Sequence, residues 1–206
     1  MFKKLFTITL LILSACSTTK DELLPITSNS EKAIEFYKTG VMHWEQGEGL
    51  EARNNFYSAL RVDPNFVLPN LFIQEPDPQQ RRRYRQVAVD NKESVSDAEK
   101  ILVEMWEAGK EGKSGKRLEL AKDLVSKYPE SSEAHTWLGD VYTEQFMFDE
   151  AIRSYKSATK INPDQYNAWR ELARHHVVEG NNNMLPKERQ DRSLVIKYTE
   201  EMIRVR

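Results

Sequence analysis

Cysteine is almost missing from this chain: one thiol, Cys16, in 206 residues. A single thiol excludes an internal disulfide and a cysteine-based metal site. Histidine is nearly as scarce. None of His43, His135, His175 and His176 stands at a His-x₃-His spacing, so no metal-ligand pattern is present. His43 and His176 sit where a packing aromatic is expected, which accounts for both. No Gly-x-Ser-x-Gly marks a nucleophile, and nothing singles out an acid–base pair among 32 acidic residues. The expectation is a protein without catalytic residues, cofactor or metal. Glycine and proline are sparse, eight of each, so a helical pattern is seldom broken. No sign of charge dominates, the net charge being −2, which leaves no electrostatic footprint for nucleic acid.

Long hydrophobic runs are also lacking, with one exception. Met1-Phe2-Lys3-Lys4 is a short basic start, and an apolar run from Leu5 to Leu13 follows. That run has the length of a signal-peptide core and falls short of the roughly 20 residues needed to span a bilayer. Small residues then precede the cysteine. Leu13-Ser14-Ala15-Cys16 resembles the lipobox of bacterial lipoproteins. The resemblance implies cleavage before Cys16, acylation of its thiol, and often acylation of the new amine. Two or more acyl chains give durable membrane attachment. Ser17, where an aspartate would retain the protein in the inner membrane of enterobacteria, implies the outer membrane, facing the periplasm. On this reading residues 1–15 are a signal peptide and 16–30 a polar, proline-containing tether.

Two segments of the remainder repeat each other. One carries Gly40, His43, Ala52, Phe56, Ala59 and Pro64; the other carries Gly139, Tyr142, Ala151, Tyr155, Ala158 and Pro163. Each proline ends a helix, because it cannot continue one without losing a hydrogen bond and clashing. The skeleton, at a period of about 34 residues, resembles the tetratricopeptide repeat (TPR) family. The family implies an all-α solenoid of helix–turn–helix pairs over residues 31–206. Its clear repeats are 33–66 and 132–165, with a degenerate repeat at 96–131 and a partial one at 166–206. Gly40 and Gly139 would allow close helix approach against Ala52 and Ala151. Ser96-Asp97-Ala98-Glu99 reads as a capped helix start. Gly180-Asn181-Asn182-Asn183 and Pro186 interrupt the last repeat before a helix from about Lys187 to Arg204, with Leu194, Tyr198 and Met202 on one stripe. Residues 66–95 fit least well. Pro69, Pro76 and Pro78 predict a non-helical start, Gln79 to Asp90 a helix, and the whole is either a broken repeat or a long connector.

Two local patterns invite other readings. Gly109-Lys110-Glu111-Gly112-Lys113-Ser114-Gly115-Lys116 echoes a phosphate loop, but no strand precedes it and its first glycine is too close; it reads as a turn between helices. Arg81-Arg82-Arg83 with Arg85 reads as a solvated helix face, or a contact for an acidic partner or lipid headgroup.

Solenoids present an extended concave surface, and the TPR resemblance implies that the first helix of each pair lines it and holds a partner protein. The expected groove residues are Tyr37, Val41, Trp44, Thr136, Asp140, Arg170 and Arg174. The Lys/Asn pattern that clamps C-terminal carboxylates in eukaryotic chaperone adaptors is missing. The expectation is a lipid-anchored adaptor of the bacterial cell envelope. Its alternative is a homo-oligomeric structural lipoprotein without a separate partner.

Overall fold

The computed structural model describes residues 21–177 and 184–206. The signal segment, Cys16 and the Gly180–Asn183 interruption lie outside the described residues. Among the described residues there are ten α-helices and no strand: α1 (Glu31–Glu45), α2 (Gly49–Val62), α3 (Val67–Phe72), α4 (Pro78–Asn91), α5 (Asp97–Lys110), α6 (Ser114–Lys127), α7 (Ser132–Glu144), α8 (Phe148–Ile161), α9 (Tyr166–His175) and α10 (Arg192–Arg204). They pack as five successive pairs, and α2, α6 and α8 also touch the helix that follows. This is the expected all-α helix–turn–helix solenoid.

Close approach within the two clear repeats depends on glycine. A Cβ on Gly40 would lie 2.6 Å from the Phe56 ring, and one on Gly139 2.5 Å from the Tyr155 ring. Phe56, Tyr155, Ala52 and Ala151 are all buried. Several helices start at side-chain caps. Ser30 and Ser131 accept from the amides of Ala33 and Ala134. Ser96 and Glu99 form a reciprocal capping box on α5. The turns inside the pairs need a left-handed residue, supplied by Gly47 (φ +80°) and Gly112 (φ +69°). At the same place in the α7–α8 turn stands Phe146, at φ +59° and 80% exposed. The phosphate-loop-like stretch is the end of α5, the turn at Gly112, and the start of α6.

Residues 66–95 contain a helix pair, α3 packed against α4. The non-helical start expected from the prolines is overturned: α3 contains Pro69. Proline is tolerated there because it sits in the first turn, where the amide has no intrahelical partner. Asn70, also buried, donates to the carbonyls of Pro64 and Phe66. The short α3 is held at its C-terminal end by Arg85, which donates to the carbonyls of Asn70 (2.6 Å) and Ile73 (3.1 Å). Arg85 therefore does not belong to the solvated face expected of the arginine run; Arg81, Arg82 and Arg83 are exposed. Burial lowers the Arg85 guanidinium to about 10.

The last helix begins at Arg192, later than the Lys187 expected, because Asp191 caps it through the Ser193 amide. A 3-10 turn, Lys187–Arg189, precedes it. Tyr198 is buried against Trp169 of α9, with ring centroids 5.9 Å apart, and Leu194 and Met202 flank it.

The segment expected to be a free tether is docked from Asp21 onward. Asp21 Oδ1 accepts from the Ser132 amide (2.9 Å), and Oδ2 from Ser132 Oγ (2.8 Å) and Asn162 Nδ2 (2.9 Å). The Glu22 amide donates to the Glu130 carbonyl. The Ser96 amide donates to Thr27 Oγ1, Ser96 Oγ lies 3.0 Å from the Pro25 carbonyl, and Ser28 donates to Asp63. Leu24 is buried in the main core. Residues 21–30 thus form a strap across the first, third and fourth helix pairs. It stays in place because its polar groups meet helix ends whose backbone groups lack intrahelical partners.

Candidate functional site

The strap closes over one part of a concave chamber. Two adjoining cavities, of about 450 and 460 Å³, share Tyr37, Val41, Glu45, Glu133 and Gln165. The cavity beneath the strap reaches Leu24, Ile26 and Glu99. The other runs toward the C-terminal ends of α1, α3 and α7, where Trp44, Phe72 and Trp137 form an aromatic wall. The Phe72 and Trp137 rings stack at 5.4 Å and Trp44 leans on Phe72 at 5.9 Å.

Six of the seven residues expected to line the groove meet in this second cavity: Tyr37, Val41, Trp44, Thr136, Asp140 and Arg170. They are not equally free. Tyr37 and Thr136 are buried, and the Thr136 hydroxyl donates to the Ser132 carbonyl. Asp140 accepts from the Tyr155 hydroxyl at 2.8 Å. Arg170 donates to Glu171 Oε1 and reaches the Glu45 carbonyl at 3.5 Å. Arg174 is not among the lining residues; it is exposed and lies 2.6 Å from Glu171 Oε2.

Sequence reasoning missed Glu45, Phe72, Arg117, Glu133, Trp137, Glu144 and Glu171, all of which line the same cavity. A readable signal existed for part of this set: Glu133, Trp137, Asp140 and Glu144 recur at helical spacing on one face of α7. Phe72 was hidden by the prolines around it.

The chamber is electrostatically uneven. Arg117 pairs with Glu144, and Arg170 and Arg174 with Glu171. Glu45, Glu133 and Asp140 have no such cation. Burial raises Glu45 to about 7, partly opposed by Arg170 and by the Asn167 amide, whose Nδ2 donates to Oε1 at 3.1 Å. Burial likewise raises Glu133 to about 7, with a Trp137 hydrogen bond pulling down and Glu45 and Asp21 pushing up. Asp140 also reaches about 7, mainly through burial, against the Tyr155 hydrogen bond. Burial, then Glu133, Glu99 and Glu45, push the Tyr37 phenol well up.

Two histidines behave as packing groups. His175 is fully buried, with Nδ1 on the Glu171 carbonyl (2.7 Å) and Nε2 on Thr143 Oγ1 (3.1 Å); burial lowers it. His176 is buried beside Tyr198. Among the described residues no group of three His, Cys, Asp or Glu is placed to hold a metal ion, and no helix is long and apolar enough to cross a membrane.

Residues 132–165 match the sequence profile of the tetratricopeptide repeat. A curated protein similar to this chain is the photosystem I assembly protein Ycf3 of Cyanophora paradoxa. It is 23% identical over 153 residues, covering 70% of this chain and 76% of that protein. Similar solved structures include MamA residues 41 to the end from Desulfovibrio magneticus RS-1, at 14% identity and TM-score 0.45, covering 86% of this chain and 97% of that one. Another is YrrB, titled a TPR protein with an unusual peptide-binding site, at 14% identity and TM-score 0.44, covering 86% and 88%.

Proposed function

We propose that this protein is a lipid-anchored TPR scaffold of the bacterial cell envelope that holds a segment of another protein in its concave chamber. The observation that carries the reading is the chamber itself. Its walls combine an aromatic patch (Trp44, Phe72, Trp137) with the buried carboxylates Glu45, Glu133 and Asp140. Pockets of this kind, apolar with a few placed polar groups, are where ligands bind. The repeat match at 132–165 and the similarity to an assembly protein support a role in bringing proteins together. The anchor rests on Lys3-Lys4, the apolar run and Leu13-Ser14-Ala15-Cys16, with outer-membrane placement following from Ser17.

A photo-crosslinking residue at Val41, on the chamber wall, tests the scaffold. It is expected to trap a discrete protein in intact envelopes, while the same residue at the exposed Glu51 of α2 does not. Equal labelling from both positions, or none from Val41, defeats the reading. Cys16→Ser tests the anchor separately: it should abolish palmitate labelling and release the protein from membranes or leave an uncleaved precursor. Wild-type protein that takes up no palmitate refutes lipidation.

A further inference from the structure

Two buried acceptors in the chamber lack a donor. Glu99 is fully buried and lines the cavity beneath the strap. Its Oε2 accepts from the amide and hydroxyl of Ser96, but its Oε1 has no hydrogen-bond partner. In the adjoining cavity the buried Oδ1 of Asn167 is also without a donor, while its Nδ2 is spent on Glu45. Buried polar atoms are almost always paired, and each exception calls for an explanation. These two are acceptors and line the same chamber as Glu45 and Glu133; the unpaired Arg117 Nε, a donor, also lines it, but its guanidinium is committed to Glu144.

The surrounding charges do not answer this need. From α1 come Glu45, the Tyr37 phenol, and the exposed Glu31 and Lys38; from α5, Glu99. From α7 come Glu133, Asp140 and Glu144, and from α6 Arg117, which is taken by Glu144. From α9 come Arg170 and Glu171, already joined. The Tyr155 hydroxyl of α8 is on Asp140, and Asp21 of the strap is on Ser132 and Asn162. Glu45, Glu99, Glu133 and Asp140 form no ion pair, and Glu45 and Asp140 feel only Arg170, which is already joined to Glu171.

We propose that the chamber is a receptor for a basic side chain: a partner segment enters past Trp44, Phe72 and Trp137 and places an arginine or lysine head among Glu45, Glu133 and Glu99. This deepens the scaffold reading and rests on it. The occupant is chosen by charge complementarity and by donor count. A guanidinium carries five N–H donors and no acceptor, an ammonium three and none, so either can supply the donors that Glu99 Oε1 and Asn167 Oδ1 lack. Its flanking aliphatic or aromatic residues fit the aromatic wall, where a cation also gains from the ring faces. Glu45, Glu133 and Asp140 sit near 7 in the unliganded chamber. A bound cation favours their ionised form, so binding expels protons and tightens as pH rises.

The test uses the full-length protein in detergent micelles, with empty micelles as the blank. The probes are three fluorescein-labelled nonapeptides, Ser-Gly-Leu-X-Phe-Leu-Gly-Ser-Gly, where X is arginine, glutamine or glutamate. The arginine peptide is expected to bind at least about 10-fold more tightly than the glutamine peptide, and the glutamate peptide more weakly still. The arginine preference should grow between pH 6 and pH 8. It should collapse in Glu45→Gln with Glu133→Gln, isosteric changes whose retained fold is checked by circular dichroism. Should the double variant fail to fold, Glu45→Gln alone is expected to reduce the preference. Equal affinities for arginine and glutamine, no arginine binding, or a preference that survives the glutamine variants each overturn the proposal. The crosslink from Val41 then shows whether the scaffold reading stands without it.

Discussion

Gly139→Ala adds one methyl group at the tightest contact in the α7–α8 pair. In an open helix the change gains up to ~1 kcal/mol, because alanine loses less backbone entropy. Here the new Cβ would lie 2.5, 2.7 and 2.8 Å from Cε1, Cδ1 and Cζ of Tyr155. The ring cannot easily swing away. It is fully buried, and its hydroxyl is held by Asp140 at 2.8 Å and by Thr143 Oγ1 at 3.1 Å. Overpacking of this kind costs ~1–3 kcal/mol, so the propensity gain is outweighed and a net loss of ~1–2 kcal/mol is expected. For a chain of this size that is a fall of roughly 2–8 °C in melting temperature. Gly115→Ala is the control: Gly115 lies in α6 and its Cβ would meet nothing within 4 Å, so the same change should be neutral or stabilising. Thermal melts followed by circular dichroism compare the two. A Gly139→Ala protein as stable as wild type would falsify the claim that this glycine exists for helix approach.

Phe146→Gly should stabilise by about 1 kcal/mol, read in the same melts, because a left-handed non-glycine residue is strained and the side chain is 80% exposed; a loss of stability would show the edge-on contact with the Phe148 ring to matter more. Asp21→Ala should speed hydrogen exchange at the Ser132 amide, whose acceptor it removes, and lower stability by ~1–2 kcal/mol; unchanged exchange would mean the strap is not held there. Glu45, Glu133 and Asp140 are raised in the folded state, so they keep protons that the unfolded chain has released between about pH 4 and pH 7. Stability should therefore fall as pH rises through that window, and Glu133→Gln should flatten the slope in melts from pH 5 to pH 8. Arg170→Glu with Arg174→Glu should lower the melting temperature, since both arginines neutralise the buried Glu171; an unchanged melt would show these pairs contribute little.

The helix pairs were legible because their signals are local. Gly40 and Gly139, Pro64 and Pro163, and the Ser96–Glu99 capping box each act within a turn or a pair. Pro69 misled because proline signals the end of a helix everywhere except its first turn. The arginine run misled because Arg85 looks like its neighbours until α3 offers it two carbonyls. The lining of the chamber was partly legible, since the inner face of α1, α7 and α9 follows from helical periodicity. Which carboxylates are left without an ion pair was not legible, because pairs such as Arg117–Glu144 join different helices. The docking of Asp21–Ser30 had no local signal: its partners lie 34 to 141 positions away.

The contact between Glu45 and Asn167 joins the first helix pair to the last, and Arg206 near Glu48 (3.8 Å) adds a second stitch. Most solenoids are open rows in which each unit feels only its neighbours, so units can be added or removed one at a time. A row whose ends meet behaves instead like an arch. Losing α9 and α10 would leave Glu45 without its amide partner and one side of the chamber missing, and an inserted unit would push the two ends apart. Such a chain should melt in one step rather than fray from its ends, and its number of units is set by closure as well as by how many a gene happens to encode.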